Sequence, residues 1–238
     1  MLRRPGGLLI DYGETILEEL EYNPRAGIEL MLRHAVGGPA AVNIDAVVAR
    51  AERISKEVAD RRDVLQIETP WPALTRLIYD FFGIRFVVPL AELELLFWNA
   101  SVKTRPMPGV REALLEFQRA GVPLGVVSNA SFGPEIIRHE LGKHGLADFF
   151  SEIVVSSEYA VRKPNPLLYE TAAARLGVQP VEIWFIGDRL DIDVVGARAA
   201  GMTPIWYTPQ VPANRADLDV LAQSWPELAE TFRSAVVA

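Results

Sequence analysis

Short apolar runs recur along the chain, and polar or turn-forming residues bound each of them. Such runs predict strands that are buried on both faces of a parallel sheet. They lie at residues 8–10, 122–127, 153–155, 183–186 and 204–207. Most are followed by a helical pattern, at residues 110–120, 134–144, 166–176 and 192–200, and several of these helices end at a glycine. Strands alternating with helices predict an α/β fold with a doubly wound parallel sheet, which binds ligands beyond the carboxyl ends of its strands.

The alternation is interrupted between residues 16 and 105, where the pattern is mainly helical. Asn23-Pro24 has the form of an N-cap followed by proline in the first helical turn, and further helices are predicted at residues 45–61, 72–82 and 89–100. We therefore predict an all-helical inserted domain at 16–105 and an α/β core formed by residues 1–15 and 106–238. In the tail, 218–237, we expect a short strand and a helix that begins near Pro226.

Composition limits the classes of partner. The chain has 238 residues, a net charge of −7 and a pI near 5.1, which argue against nucleic acid or an anionic membrane as its main partner. It contains no cysteine, so thiolate catalysis and disulfides are excluded. The first apolar stretch is too short for a signal peptide or a membrane span, and we expect a cytoplasmic protein. The oligomeric state is not predicted.

Polar side chains with catalytic potential follow the predicted strands. Asp11 ends the first strand, with Thr15 four residues later, and Ser128-Asn129 ends the second. Each residue also has an ordinary interpretation as a helix cap or turn former. Lys163 lies in Arg-Lys-Pro-Asn-Pro, where the prolines fix the backbone, so it could neutralise both Asp11 and a bound phosphate; alternatively it is a solvated loop lysine. We expect its neighbour in the chain, residue 162, to be a surface arginine.

Asp188, Asp191 and Asp193 follow the apolar run at residues 183–186. Three carboxylates so close in sequence repel one another unless a cation compensates, and Arg189 and Lys163 are too few to do so. A divalent cation with oxygen ligands would resolve the repulsion, and Mg²⁺ typically binds one or two carboxylates together with phosphate and water. We therefore favour a metal site over helix capping.

In this order, the motifs resemble those of the haloacid dehalogenase superfamily, and the insertion resembles that family's cap domain of the first type. The resemblance implies a Mg²⁺-dependent phosphomonoester hydrolase that acts on a small phosphorylated metabolite through an aspartyl-phosphate. The resemblance implies that Asp11 is the nucleophile and that Ser128 and Lys163 are further catalytic residues. The implied phosphate-binding residues are Thr15, Ser128, Asn129 and Lys163. The implied metal ligands are Asp11, the Gly13 carbonyl and Asp188, with Asp193 supporting the metal site.

One departure from that family leaves the function open. Its phosphatases usually read Asp-x-Asp-Gly-Thr, whereas this chain reads Asp11-Tyr-Gly-Glu-Thr15, so Gly13 replaces the aspartate that acts as acid and base. Glu14 is a conceivable substitute. Because Gly13 carries no acid, one alternative function is that of a catalytically weak protein that binds phosphate and metal for regulation. A 2-haloacid dehalogenase is a further alternative, although those enzymes carry a tyrosine two places after the nucleophile and Tyr12 is only one place after it.

Substrate choice is expected to depend on the insertion. Candidates to line its closing surface are Trp71, Phe97, Trp98, Asn99, Lys103 and Arg105. Aromatic residues at helical spacing are more often part of a domain's own core than substrate contacts, so none of the six is predicted as a site residue.

Overall fold

The computed structural model describes residues 2–38, 42–209 and 220–235. The strands are β1 Gly7–Ile10, β2 Leu17–Tyr22, β3 Ala35–Gly37, β4 Ile84–Phe86, β5 Val102–Pro106, β6 Leu124–Ser128, β7 Glu152–Val155, β8 Ile183–Gly187, β9 Thr203–Tyr207 and β10 Leu221–Ala222. The helices are α1 Pro24–Leu32, α2 Ile44–Leu65, α3 Trp71–Tyr79, α4 Leu90–Ser101, α5 Val110–Arg119, α6 Pro134–Lys143, α7 Ser156–Tyr159, α8 Pro166–Leu176, α9 Val195–Ala199 and α10 Trp225–Ser234.

Six strands form one parallel sheet in the order β10-β9-β8-β1-β6-β7. The strands β1, β6 and β8 are buried along their whole length, which explains their continuous apolar sequences. Helices cover both faces: side chains of α5, α6 and α10 contribute to one hydrophobic cluster, and those of α8 and α9 contribute to a second. The predicted doubly wound α/β core is confirmed.

This topology brings three strand ends together. Strand β1 lies between β6 and β8, with Ile10 in register with Val126 and Ile186. All three strands are parallel, so their carboxyl ends lie at the same edge of the sheet. The residues that follow these ends are Asp11, Asn129 and Asp188.

The segment from Leu17 to Pro106, here called the insert, contains α1–α4 and its own hydrophobic cluster. The prediction that it is all-helical is wrong, because it also contains two antiparallel strand pairs, β2–β5 and β3–β4. Opposite charges face each other across β2–β5, where Lys103 Nζ lies 2.6 Å from Glu21 Oε2 and Arg105 Nε lies 2.5 Å from Glu18 Oε2. The domain boundaries stay a proposal, which the separate hydrophobic clusters support.

The C-terminal elements agree with the prediction within the described residues. Strand β10 extends the sheet beside β9, and Ser224 caps α10 by accepting a hydrogen bond from the Glu227 N–H at 3.3 Å. The indole Nε1 of Trp225 donates to the Thr15 carbonyl oxygen at 2.9 Å. The first residue of α10 therefore supports the loop that follows β1. Among the described helices, none combines the length and apolar character needed to cross a membrane.

Candidate active site

Asp11 lies at the carboxyl end of the central strand and is almost completely buried. Its backbone N–H donates to the Ile186 carbonyl oxygen at 2.8 Å, which continues the β1–β8 pairing one residue past the strand. The Thr15 hydroxyl lies 3.5 Å from Asp11 Oδ2 and 3.5 Å from Asp188 Oδ1. Thr15 therefore lies between the carboxylates that follow two strand ends; it is fully buried, and its predicted contact with phosphate stays a prediction.

Lys163 connects two of the carboxylates. Its Nζ donates to Asp11 Oδ1 at 2.5 Å and to Asp193 Oδ1 at 2.8 Å, and the side chain is only 2% exposed. This geometry excludes the alternative of a solvated loop lysine. Asn129 holds the Lys163 backbone from both sides, because its Oδ1 accepts from the Lys163 N–H at 2.8 Å and its Nδ2 donates to the Lys163 carbonyl at 3.0 Å. Asn129 is thus a positioning residue; its predicted contact with phosphate stays a prediction.

The acidic cluster consists of the three aspartates that the family resemblance assigns to the metal or to its support. Oxygens of Asp11, Asp188 and Asp193 lie within 4.8 Å of one another. Asp191 is outside this group, since its side chain is exposed and pairs with Arg189 at 2.8 Å. The apparent excess of charge within residues 188–193 is therefore partly neutralised locally, and Asp11 takes the third place in the cluster.

Asp193 is held by hydrogen bonds to both of its oxygens. Oδ1 accepts from Lys163, and Oδ2 accepts from the Arg189 N–H at 3.0 Å. A Cβ at position 187 would lie 2.4 Å from Asp193 Cγ, so this close approach requires glycine at the end of β8. Because both Asp193 oxygens are engaged, Asp11 and Asp188 are better placed as direct metal ligands, with Asp193 in the supporting role that was predicted for it.

The site contains more acidic than basic groups, and burial makes this imbalance costly. Burial raises the pKa of Asp11 to about 7 against the opposing effect of Lys163, and burial together with Asp193 raises the pKa of Asp188. Burial alone would lower the pKa of Lys163, but Asp11 and Asp193 raise it above its ordinary value. When all three carboxylates are ionised, one ammonium leaves two negative charges uncompensated, and the raised pKa values express the cost of that state without a further cation. Hard oxygen donors with this charge fit a divalent cation such as Mg²⁺.

Position 13 has room for a side chain. A Cβ there would meet no atom within 4 Å, and Gly13 borders the same cavity as Asp11. The neighbouring Glu14 has φ of 54°, and its Oε1 accepts from the Glu19 N–H at 3.1 Å, so that carboxylate is engaged with the insert. The structure therefore offers no support for Glu14 as the missing acid and base. A ligand role for the Gly13 carbonyl stays a prediction.

A cavity of about 680 Å³ extends from Asp11, Ser128 and Lys163 into the insert. Ser128 is buried at the end of β6 and lines this cavity, as a phosphate-binding residue must. Of the six candidate residues in the insert, Trp71, Phe97 and Trp98 line the cavity. The other three lie elsewhere: Asn99 contacts His139, while Lys103 and Arg105 form the exposed β2–β5 ion pairs.

The expectation that Arg162 lies at the surface is wrong. Arg162 is 7% exposed, and its guanidinium binds the buried carboxylate of Glu68. Phe132 was not predicted either, although it closes one wall of the cavity beside Trp98, with ring centroids 4.8 Å apart. The only sequence signal for Phe132 was its place three residues after Asn129, immediately beyond a predicted strand end.

The fold and site together are typical of a class of α/β hydrolytic enzymes. In this class an aspartate paired with a lysine lies at the end of the central strand of a doubly wound sheet, and an inserted segment covers it. The chain belongs to one family of that class, the haloacid dehalogenase-like hydrolases, whose family model matches residues 11–201.

Among curated relatives, the chain is 41% identical over 120 residues to a glyceraldehyde 3-phosphate phosphatase of Methanopyrus kandleri, covering 48% of this chain and 50% of that protein. It is 35% identical over 117 residues to a phosphoserine phosphatase of Thermus thermophilus, covering 48% of this chain and 46% of the relative. The chain thus spans about half the length of these relatives. A phosphoglycolate phosphatase of Vibrio vulnificus is 25% identical over 85% of this chain and 79% of its own length.

Solved structures share the fold over nearly the whole chain. A HAD phosphatase from Thermococcus onnurineus superposes with a TM-score of 0.64 at 24% identity, covering 97% of this chain and 99% of that one. An L-2-haloacid dehalogenase from Xanthobacter autotrophicus superposes with a TM-score of 0.60 at 16% identity, covering 98% and 100%. At these identities the likeness shows the fold alone, so it does not separate phosphatase from dehalogenase.

Proposed function

We propose that the protein is a Mg²⁺-dependent phosphomonoester hydrolase that acts on a small phosphorylated metabolite through an aspartyl-phosphate. The observation that carries this proposal is the buried Lys163 ammonium, which bridges Asp11 and Asp193 at the base of the cavity. A buried site with two uncompensated negative charges needs a divalent cation to bind a phosphate dianion. Three curated relatives that are named phosphatases support the same reaction class.

In this proposal the Asp11 carboxylate attacks the phosphorus, an Asp11–phosphate bond forms, and the bond to the ester oxygen breaks. Water then hydrolyses the aspartyl-phosphate and regenerates Asp11. Ser128 offers its hydroxyl to the phosphoryl oxygens, Thr15 contacts the carboxylates of Asp11 and Asp188, and Lys163 offsets the charge that develops on the phosphoryl group. Bound Mg²⁺, held by Asp11 and Asp188, would supply further charge stabilisation. The leaving oxygen takes its proton from solvent, since Gly13 carries no acid.

The test is phosphate release with Mg²⁺ and with chelator, from p-nitrophenyl phosphate and from the substrates that the relatives' names give. We expect Mg²⁺-dependent release by the wild type and its loss in Asp11→Asn, because the amide is not a nucleophile. Asp191→Asn is the matched control: it makes the same chemical change at an exposed aspartate outside the cluster and should retain activity. Release that persists in chelator, or in Asp11→Asn, would contradict the proposal.

Gly13 favours a second candidate, a protein that keeps the phosphate and metal pocket for binding or regulation. Binding of a phosphate mimic with Mg²⁺, without turnover across the substrate panel, would favour this candidate. Halide release from 2-chloropropionate without Mg²⁺ would instead indicate a dehalogenase. A cytoplasmic location and the absence of nucleic-acid or membrane partners stay predictions from the sequence.

A further inference from the structure

The cavity is larger and more apolar than a phosphate site alone requires. Its volume of about 680 Å³ falls within the range of roughly 300–1,000 Å³ that is typical of sites for drug-sized ligands. Only its base, near Asp11, carries the catalytic groups. The walls beyond that base are formed mainly by apolar and aromatic side chains: Met31, Trp71, Leu74, Ile78, Phe97 and Phe132. Apolar walls of this extent offer contact area to an apolar group of a ligand and do not serve the phosphate itself.

An aromatic wall begins next to the catalytic end. Phe132 comes from the loop after β6 that also carries Asn129, and its ring packs among three aromatic residues of the insert. The centroid of Phe132 lies 6.2 Å from Trp71 and 6.0 Å from Phe97, with interplanar angles of 27° and 25°. Trp98 contacts it edge-on at 77°. These rings form a rigid apolar surface on the cavity, beside the loop that carries Asn129.

In the described part of the chain, the basic side chains that line the cavity already have partners within the protein, so a second anionic group on the substrate would compete with those partners. Lys163 is bound to Asp11 and Asp193, Arg162 to Glu68, and Arg189 to Asp191. Arg62, on α2, is not free either. A carboxylate on the leaving group, as in phosphoglycolate or phosphoserine, would therefore lose its hydration without gaining a dedicated cation.

We infer that the preferred substrate is a monophosphate ester of a bulky, uncharged and apolar alcohol, of aryl or extended alkyl type. The phosphate binds at Asp11, Ser128 and Lys163, and the organic group fills the space bounded by Phe132 and the insert. This inference rests on the proposed function and adds the substrate class to it.

The experiment is a series of n-alkyl phosphates from ethyl to hexyl, assayed for kcat/KM with Mg²⁺ and compared with phosphoglycolate and phosphoserine. The alkanols have nearly equal acidity, so chain length changes burial without changing the leaving group. Each methylene that enters the apolar space should raise kcat/KM by about fourfold, the equivalent of ~0.8 kcal/mol of transfer free energy. Both carboxylate-bearing substrates should be poorer than hexyl phosphate.

A variant locates the organic group in the cavity. Ala59 on α2 lines the cavity, so Ala59→Trp narrows it and should flatten the dependence of kcat/KM on alkyl length. Ala49, on the exposed side of the same helix, does not line the cavity, and Ala49→Trp is the matched control that should keep the wild-type slope. Circular dichroism and unfolding of both variants establish that they are folded.

The outcomes separate the inference from the proposed function. No Mg²⁺-dependent release from any ester, by the wild type or by Gly13→Asp, would overturn the proposed function. Efficient release from phosphoglycolate or phosphoserine with a flat alkyl series would leave the proposed function standing and overturn the substrate class. An alkyl slope that Ala59→Trp and Ala49→Trp leave equally intact would also overturn the inference, because the organic group would then bind elsewhere.

Discussion

At the scale of single residues, Gly13 is the position at which a substitution is expected to raise the rate. The position borders the cavity and has space for a side chain, so a carboxylate can be introduced without displacing a neighbour. We expect Gly13→Asp to raise kcat for ethyl phosphate by up to ~10²–10⁴, the usual contribution of a positioned acid or base. The gain should be much smaller for p-nitrophenyl phosphate, whose leaving group needs no proton. Steady-state phosphate release on both substrates measures the difference.

Gly13→Asn is the control for this change, because it has the same shape and no exchangeable acid. It should match the wild type on both substrates. Equal gains in the Asp and Asn variants would point to an effect of side-chain volume and would contradict an acid–base role. An equal gain in Gly13→Asp on p-nitrophenyl phosphate and ethyl phosphate would instead assign the effect to activation of water in the second step, which both esters share.

At the scale of elements, the segment between α2 and α3 joins the insert to the loop that carries the catalytic lysine. The Arg162 N–H donates to the Gln66 carbonyl at 2.9 Å, and the Glu68 N–H donates to the Ala160 carbonyl at 3.2 Å. The buried Glu68 carboxylate accepts from Ser156 Oγ at 2.7 Å and also binds the Arg162 guanidinium. Since Arg162 precedes Lys163, the position of the lysine depends on this contact.

Glu68→Ala should lower the free energy of unfolding by about 3–5 kcal/mol, because it leaves the buried Arg162 guanidinium without its carboxylate. Denaturant unfolding measures the loss. Glu158→Ala is the control, since it removes an exposed ion pair at 3.8 Å from Arg175 and should change stability by about 1 kcal/mol or less. The double variant Glu68→Met, Arg162→Met should recover part of the loss. A single-variant effect no larger than that of Glu158→Ala would show that the buried pair contributes little.

At the scale of the whole molecule, local patterns determined what could be predicted from the sequence. The residues at strand ends, such as Asp11 and Asp188, were found because each follows a buried apolar run and parallel strands align such ends. Arg162 was misplaced because its partner, Glu68, lies 94 residues away and nothing near Arg162 indicates an acid. The strand pair β2–β5 was missed because both strands are largely exposed and rich in charged residues, so neither contains an apolar run.

The insert is also joined to the core through Glu140 of α6, and this contact should respond to pH. Glu140 accepts hydrogen bonds from Trp98 Nε1 at 2.8 Å and from Thr104 Oγ1 at 2.5 Å, both in the insert, and from Lys143 Nζ at 2.8 Å. Burial by itself raises the pKa of Glu140, but these hydrogen bonds from Lys143, Thr104 and Trp98 lower it below its ordinary value. The ionised form therefore stabilises the folded protein.

A carboxyl group whose pKa is lower in the folded than in the unfolded state stabilises the folded protein at pH values above its unfolded pKa, which is about 4.3 for glutamate. This stabilisation is lost as the pH falls through the pKa of the folded state. Wild type should therefore exceed Glu140→Gln in free energy of unfolding by about 1.5–3 kcal/mol at pH 7, the usual contribution of hydrogen bonds to a charged group. The difference should shrink steadily below pH ~4. Denaturant unfolding of both proteins across this range tests it. A stability difference that does not change with pH would assign the effect to the replacement of an acceptor oxygen by an amide group. The charge of Glu140 would then play no part in holding the insert on the core.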